Sequence, residues 1–192
     1  MTLQKGTTMT TSRTPVLDES ALDPEQRAVY DSIAGGKRGV VQGPLRVWLQ
    51  SPALADRAQA LGAFCRYDTL LEPRLSELAI LVTGAVWRSG FEWAVHAPIA
   101  RDAGLSEEVV EAIRCGEVPT FEKEDEAAVH AFARQLHETR AVDEAAYANV
   151  VALLGTQGAV ELVGLLGYYT LISMTINVFE VPLPEDAENP FP

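Results

Sequence analysis

Cysteine is scarce in this chain. The 192 residues hold two, Cys65 and Cys115, far apart and with neither in a CxxC pair. That excludes a disulfide framework and a zinc site of the usual cysteine spacing. Each thiol reads as a small apolar residue rather than a nucleophile. Gly-rich phosphate loops and clusters of metal-ligand spacing are also missing, so no flavin, haem, nicotinamide or metal is expected. Basic residues are few: 15 against 27 acidic ones give a net charge of −12, which disfavours nucleic acid and anionic membranes as partners. The opening segment, residues 1–20, is Thr/Ser-rich and lacks the continuous apolar core of a signal peptide, so a cytoplasmic location is expected. No stretch reads as a credible strand, and no internal period marks a repeat.

What is present is helical. Hydrophobic residues make up 47% and charged residues 22%, the composition of a soluble globular chain long enough for one cored domain. That domain is expected over 21–183, after an N-terminal segment (1–20) that is mobile or draped on a neighbour, and before a polar tail (184–192). Asp23-Pro24 marks a helix start, and 36–52, punctuated by Gly and Pro, reads as a long connection able to line a pocket. From Ala53 the pattern is helical almost throughout, with Pro73 opening a helix to about Val86 and a break at 87–90. Leu162 to Phe179 is uncharged and long enough to span a bilayer. Its acidic flanks, Glu161 and Glu180, and its Thr, Ser and Asn residues indicate instead a buried helix or a subunit interface.

The segment Glu77–His96 holds the chemistry. Ser89, Glu92 and His96 share one helix face by their spacing of three and four, in an otherwise apolar run with Glu77. Two carboxylates and an imidazole in apolar surroundings are the equipment for proton transfer at neutral pH. Ser89 and Glu92 also fit a capping box, which needs no function. Glu77 could equally form an ion pair with Arg74 or Arg88. His130 and His137, in a strongly charged helix, read as surface or edge residues. Trp87, Phe91, Trp93, Tyr168 and Tyr169 read individually as packing groups and together as walls for a flat substrate.

The spacing resembles the carboxymuconolactone decarboxylase and AhpD-like superfamily. Its peroxidase branch reads Glu, eleven residues, Cys, two residues, Cys, three residues, His. Glu77, Ser89, Glu92 and His96 fall on those places, with Ser89 and Glu92 in place of the cysteines. The likeness extends through Gly43-Pro44, Leu71-Glu72-Pro73-Arg74, Ala103-Gly104-Leu105-Ser106 and Gly167-Tyr168-Tyr169. It implies an all-α, AhpD-like helical bundle assembled as a homotrimer or homohexamer. It also implies a cofactor-independent carboxy-lyase acting on a small carboxylated lactone or related metabolite of aromatic-ring breakdown. Glu77, Glu92 and His96 would be catalytic: His96 the proton donor, Glu92 its orienting partner and Glu77 a second acid–base group. Arg74, Arg88, Ser89, Trp87 and Trp93 would bind substrate. A thiol peroxidase is disfavoured because Ser and Glu supply neither thiol. A non-catalytic helical oligomer or small-molecule binder is the remaining alternative.

Overall fold

The computed structural model describes residues 12–15 and 17–191. Among these the chain is all-α. Eight helices follow a short 3-10 turn at Glu19–Ala21: α1 (Pro24–Ala34), α2 (Pro44–Trp48), α3 (Pro52–Tyr67), α4 (Pro73–Val86), α5 (Gly90–Asp102), α6 (Glu107–Cys115), α7 (Glu124–Thr139) and α8 (Glu144–Phe179). The first four open on proline, whose fixed φ suits the first helical position and whose missing N–H is not needed there. α1 adds a complete capping box between Asp23 and Gln26.

α4 is the central element. Every residue from Arg74 to Gly84 is buried, because α5, α7 and α8 cover it on all sides. A helix apolar all round requires such a place. It ends on Arg88 in the left-handed region, with Ser89 N–H bonded to Gly84 C=O (2.9 Å) and Arg88 N–H to Ala85 C=O (3.0 Å). This Schellman geometry closes the α4 terminus and turns the chain into α5. The break expected at 87–90 is this turn.

α8 is the second core element. Gly155 (φ 72°, ψ 171°) kinks it, as a residue without Cβ can, separating an N-terminal part from the apolar run. By length and composition it is the one helix among the described residues apolar enough to cross a membrane, and 39% of its most apolar window is buried within the chain. The buried face carries Leu162, Leu165, Leu166, Tyr168, Tyr169, Ile172 and Ile176. The opposite face, Val160, Val163, Gly167, Met174 and Val178, is exposed.

The expected N-terminal segment 1–20 lies largely outside the described residues. Its described part is tied down: Arg13 N–H bonds Phe179 C=O at 2.9 Å and Arg46 donates to Leu17 C=O at 2.8 Å. The tail also packs back on the domain, since Phe191 is buried edge-on against Trp93 and Arg114 donates to Pro190 C=O. The stretch expected as a long connection contains α2, held by Trp48 Nε1–H donating to buried Thr175 Oγ1 at 2.9 Å.

Candidate functional site

His96 stands between two carboxylates. Nδ1 lies 2.7 Å from Glu77 Oε2, and Nε2 lies 3.0 Å from Glu92 Oε1. All three residues are at least nine-tenths buried. Glu77 reaches the imidazole from α4, while Glu92 and His96 come from adjacent turns of α5.

The two carboxylates are not equivalent. A carboxylate only accepts, so Nδ1–H must donate to Glu77, and that bond is well aligned. Glu92 Oε1 is close enough to Nε2 to attract it electrostatically, yet too far off line to be satisfied by a hydrogen bond. It is a buried acceptor in an ion pair but without an aligned hydrogen bond. Burial alone would push the imidazolium pKa down. The Glu92 charge, followed by the Glu77 and Glu92 contacts, overcomes that and raises it to about 9. At neutral pH this favours the imidazolium, protonated on both nitrogens.

This pairing has a consequence for stability. The folded-state pKa lies above the ordinary value of 6.5, so the contribution is whole below about 6.5, declines between 6.5 and 9, and is lost above about 9. Thermal melts of the wild type should therefore lose more between pH 6.5 and pH 9 than melts of His96→Gln. Parallel pH profiles for the two proteins would contradict the pairing.

A cavity of about 50 Å³ reaches Glu92 and His96, and is walled by Arg38, Pro44, Leu45, Phe91, Tyr168 and Tyr169 among others. The Tyr169 ring stands edge-on to His96 (centroids 5.2 Å apart), and Tyr168 edge-on to Tyr169 at 5.3 Å. The connection before α2 thus lines the pocket, as its Gly/Pro pattern allowed, and contributes Arg38.

Other expected site residues lie elsewhere. Arg74 is committed to α7: Nη2 donates to Asp125 Oδ2 (2.7 Å) and Nη1 to Glu126 Oε1 (2.5 Å). Arg88 lies over the Phe191 ring, 5.6 Å from its centroid. Trp93 packs on Phe191, and Trp87 borders a separate cleft with His137 and Val163. Ser89 is the α5 N-cap residue, but its hydroxyl makes no cap bond and is buried without a partner. The Ser89–Glu92 capping box does not form, because Glu92 turns inward to His96 instead. Of the two histidines expected at the surface or its edge, His137 lies at an edge and His130 does not. His130 is buried, its pKa pushed down to about 4 by that burial, and half-buried His137 lies 2.9 Å from Thr83 Oγ1.

Neither cysteine serves the site. Burial, then the Glu161 charge, raises the Cys65 thiol above its usual range, and the exposed Cys115 is raised by its bond to Glu111. A thiolate nucleophile beside His96 is therefore lacking among the described residues.

Comparison with known proteins agrees with this architecture. The carboxymuconolactone decarboxylase family pattern matches residues 52–135, which span α3 to most of α7. No curated protein matches the chain. Among solved structures, a cysteine-to-alanine variant of the debrominase Bmp8 in complex with 2,3,4-tribromopyrrole is similar at TM-score 0.71 and 16% identity, over 92% of this chain and 94% of that one. An uncharacterized peroxidase-related protein with the alkylhydroperoxidase AhpD core, from Ralstonia eutropha JMP134, is similar at TM-score 0.74 and 17% identity, over 91% and 93%. A further peroxidase-related protein, from Silicibacter sp. TM1040, gives TM-score 0.71 and 11% identity, over 90% of both chains. At these identities the structures speak for the fold, and the matched family pattern covers the helices that carry Glu77, Glu92 and His96. Residues 52–135 thus carry the carboxymuconolactone decarboxylase family pattern, the described residues have the AhpD-like all-α fold, and the chain lacks the CxxC motif of the peroxidase branch.

Proposed function

We propose that this chain is a cofactor-independent acid–base enzyme in which His96 and Glu92 move a proton to or from a small carboxylated metabolite. The observation that carries the reading is Glu92 Oε1: a buried carboxylate oxygen without an aligned hydrogen bond, 3.0 Å from Nε2 of the imidazole, with both residues on one cavity. Buried polar groups without partners are rare in folded proteins, and one at a perturbed titratable pair is a candidate for chemistry.

This reading gives the two carboxylates roles other than those the superfamily resemblance implies. Glu77, with the aligned bond to Nδ1, orients the ring. Glu92 and Nε2 face the cavity and exchange the proton. For a decarboxylation, the bond to the leaving carboxylate breaks, carbon dioxide departs, and the electron pair stays on carbon as a dienolate. Nε2–H then protonates that carbon, and a proton taken up from water returns the ring to its imidazolium form. The superfamily resemblance supports a carboxylated lactone or a related ring-derived compound as substrate. A cavity of about 50 Å³ holds only a few non-hydrogen atoms. The Phe91 ring also borders an outer cavity of about 310 Å³ lined by Leu17, Val47 and Leu183, so a ring-sized substrate requires Phe91 to turn aside. The test is carbon dioxide release from a panel of small carboxylated lactones. Release that depends on Glu92 and is unaffected by chelators is expected, and no release from any member would remove the carboxy-lyase assignment.

The exposed face of α8 supports assembly. Val160, Val163, Met174 and Val178 recur on one side, and such a continuous apolar strip on a soluble protein marks an interface. A homotrimer or homohexamer is expected by light scattering, with Val163→Glu shifting it toward monomer. A wild-type monomer at micromolar concentration would contradict this.

A further inference from the structure

The cavity beside His96 carries a second buried polar atom without a partner, and it is of the opposite kind. Arg38 Nε is a donor, where Glu92 Oε1 is an acceptor. Arg38 is half-buried and held in place by Nη2–H donating to Tyr168 Oη at 3.2 Å. Both groups rest on α3 at Gly62, where an added Cβ would stand 2.1 Å from the Tyr168 hydroxyl and 2.5 Å from Arg38 Nη2. The absence of a side chain there makes their meeting possible. Trp48 braces the Tyr168 ring edge-on, centroids 6.1 Å apart. The phenol accepts from Arg38 and so keeps its own hydrogen to give. Burial raises its pKa to about 12, which keeps that hydrogen in place at neutral pH.

Arg66 also borders the cavity. Two carboxylates, one imidazolium and two guanidiniums leave the site with one uncompensated positive charge, which a monoanion would balance.

We propose that the cavity binds the carboxylate end of a monoanionic substrate, with Arg38 Nε–H and Tyr168 O–H donating to the carboxylate and Glu92 Oε1 accepting from a hydroxyl or acidic C–H beside it. Paired donors suit the two oxygens of one carboxylate, and charge-assisted bonds of this kind are the strong ones. The assignment rests on the reading of His96 and Glu92 as the acid–base pair, and it makes Arg38 and Tyr168 the residues that set the end of the substrate presented to them.

The test uses the full chain, lactate as the probe and lactamide as its neutral counterpart, with the His96 ring nitrogens followed by NMR. Lactate is expected to bind saturably and at least about tenfold more tightly than lactamide, the scale of one charge-assisted contact. Arg38→Gln should abolish that preference. Tyr168→Phe, which keeps the ring against Trp48, should weaken lactate severalfold, and it decides the matter should Arg38→Gln not fold. Equal binding of lactate and lactamide, no saturable lactate binding, or unchanged lactate affinity in the variants would overturn the anion site. The parent reading is separable: a ligand-free His96 titrating near its ordinary value would overturn the acid–base pair whatever lactate does. A raised His96 pKa without lactate preference would overturn the anion site alone.

Discussion

Glu92→Gln lowers turnover by about two orders of magnitude or more, the usual scale for a general acid–base group. Glutamine fills the space of glutamate and leaves α5 undisturbed, since Glu92 makes no cap bond there. It removes the charge that does most to raise His96, so the imidazolium pKa falls toward its ordinary range. Two effects then act together: Nε2 loses its charged neighbour, and the cavity loses the carboxylate that could take up a proton. Glu77→Gln acts differently. It leaves an oxygen to accept from Nδ1–H but takes away its charge, so the bond weakens, the ring is held less firmly and activity falls through misorientation. His96→Ala is the least clean variant, because it leaves two carboxylates buried and facing each other without a cation. Steady-state kinetics with a lactone that releases carbon dioxide, alongside circular dichroism to confirm folding, distinguishes these cases. Glu92→Gln with full turnover would end the assignment of Glu92.

The second large effect concerns stability. Arg74→Ala should destabilise the domain by about 3–5 kcal/mol, the cost of leaving a buried charge without its partner. Arg74 joins the start of α4 to the start of α7 through Asp125 and Glu126, and Glu126 is itself buried. Once Arg74 is gone, Glu126 keeps only the exposed Lys123, at 3.4 Å. Most of the loss comes from that stranded carboxylate, so Arg74→Met combined with Glu126→Met should recover much of it. Urea unfolding checks both. A loss under about 1 kcal/mol in Arg74→Ala would place the pair among ordinary surface bridges.

These two cases show where the sequence was readable. Glu92 and His96 are four apart on one helix, and such local spacing survives folding unchanged. Glu77 met them because a turn at 87–90 folds α4 onto α5, and Gly90 beside polar residues signalled that turn. The all-α character followed from helical periodicity and from proline at helix starts. Other features depended on partners distant in the chain. Arg74 looked available for substrate because Asp125 and Glu126 lie some fifty residues on, in a run that reads as a solvated face. Arg38 went unnoticed within a Gly/Pro connection, its partner Tyr168 being 130 residues away. The Ser89–Glu92 capping box was a valid local pattern, overridden because an inward Glu92 meets a buried imidazole. The burial of His130 had a signal that was passed over. Glu126, Val129, His130 and Ala133 recur at helical spacing, and all four are buried on the inner face of α7. α2 is only five residues long, too short for periodicity to mark it.

The central claim is that His96 is held as an imidazolium between Glu77 and Glu92. Titration of its ring nitrogens by NMR in the ligand-free protein tests it directly. The account predicts a midpoint near 9, falling in Glu92→Gln, with Nδ1 protonated throughout by virtue of its bond to Glu77. A midpoint at or below the ordinary value of 6.5 would show that burial prevails over the carboxylates, and would contradict the account.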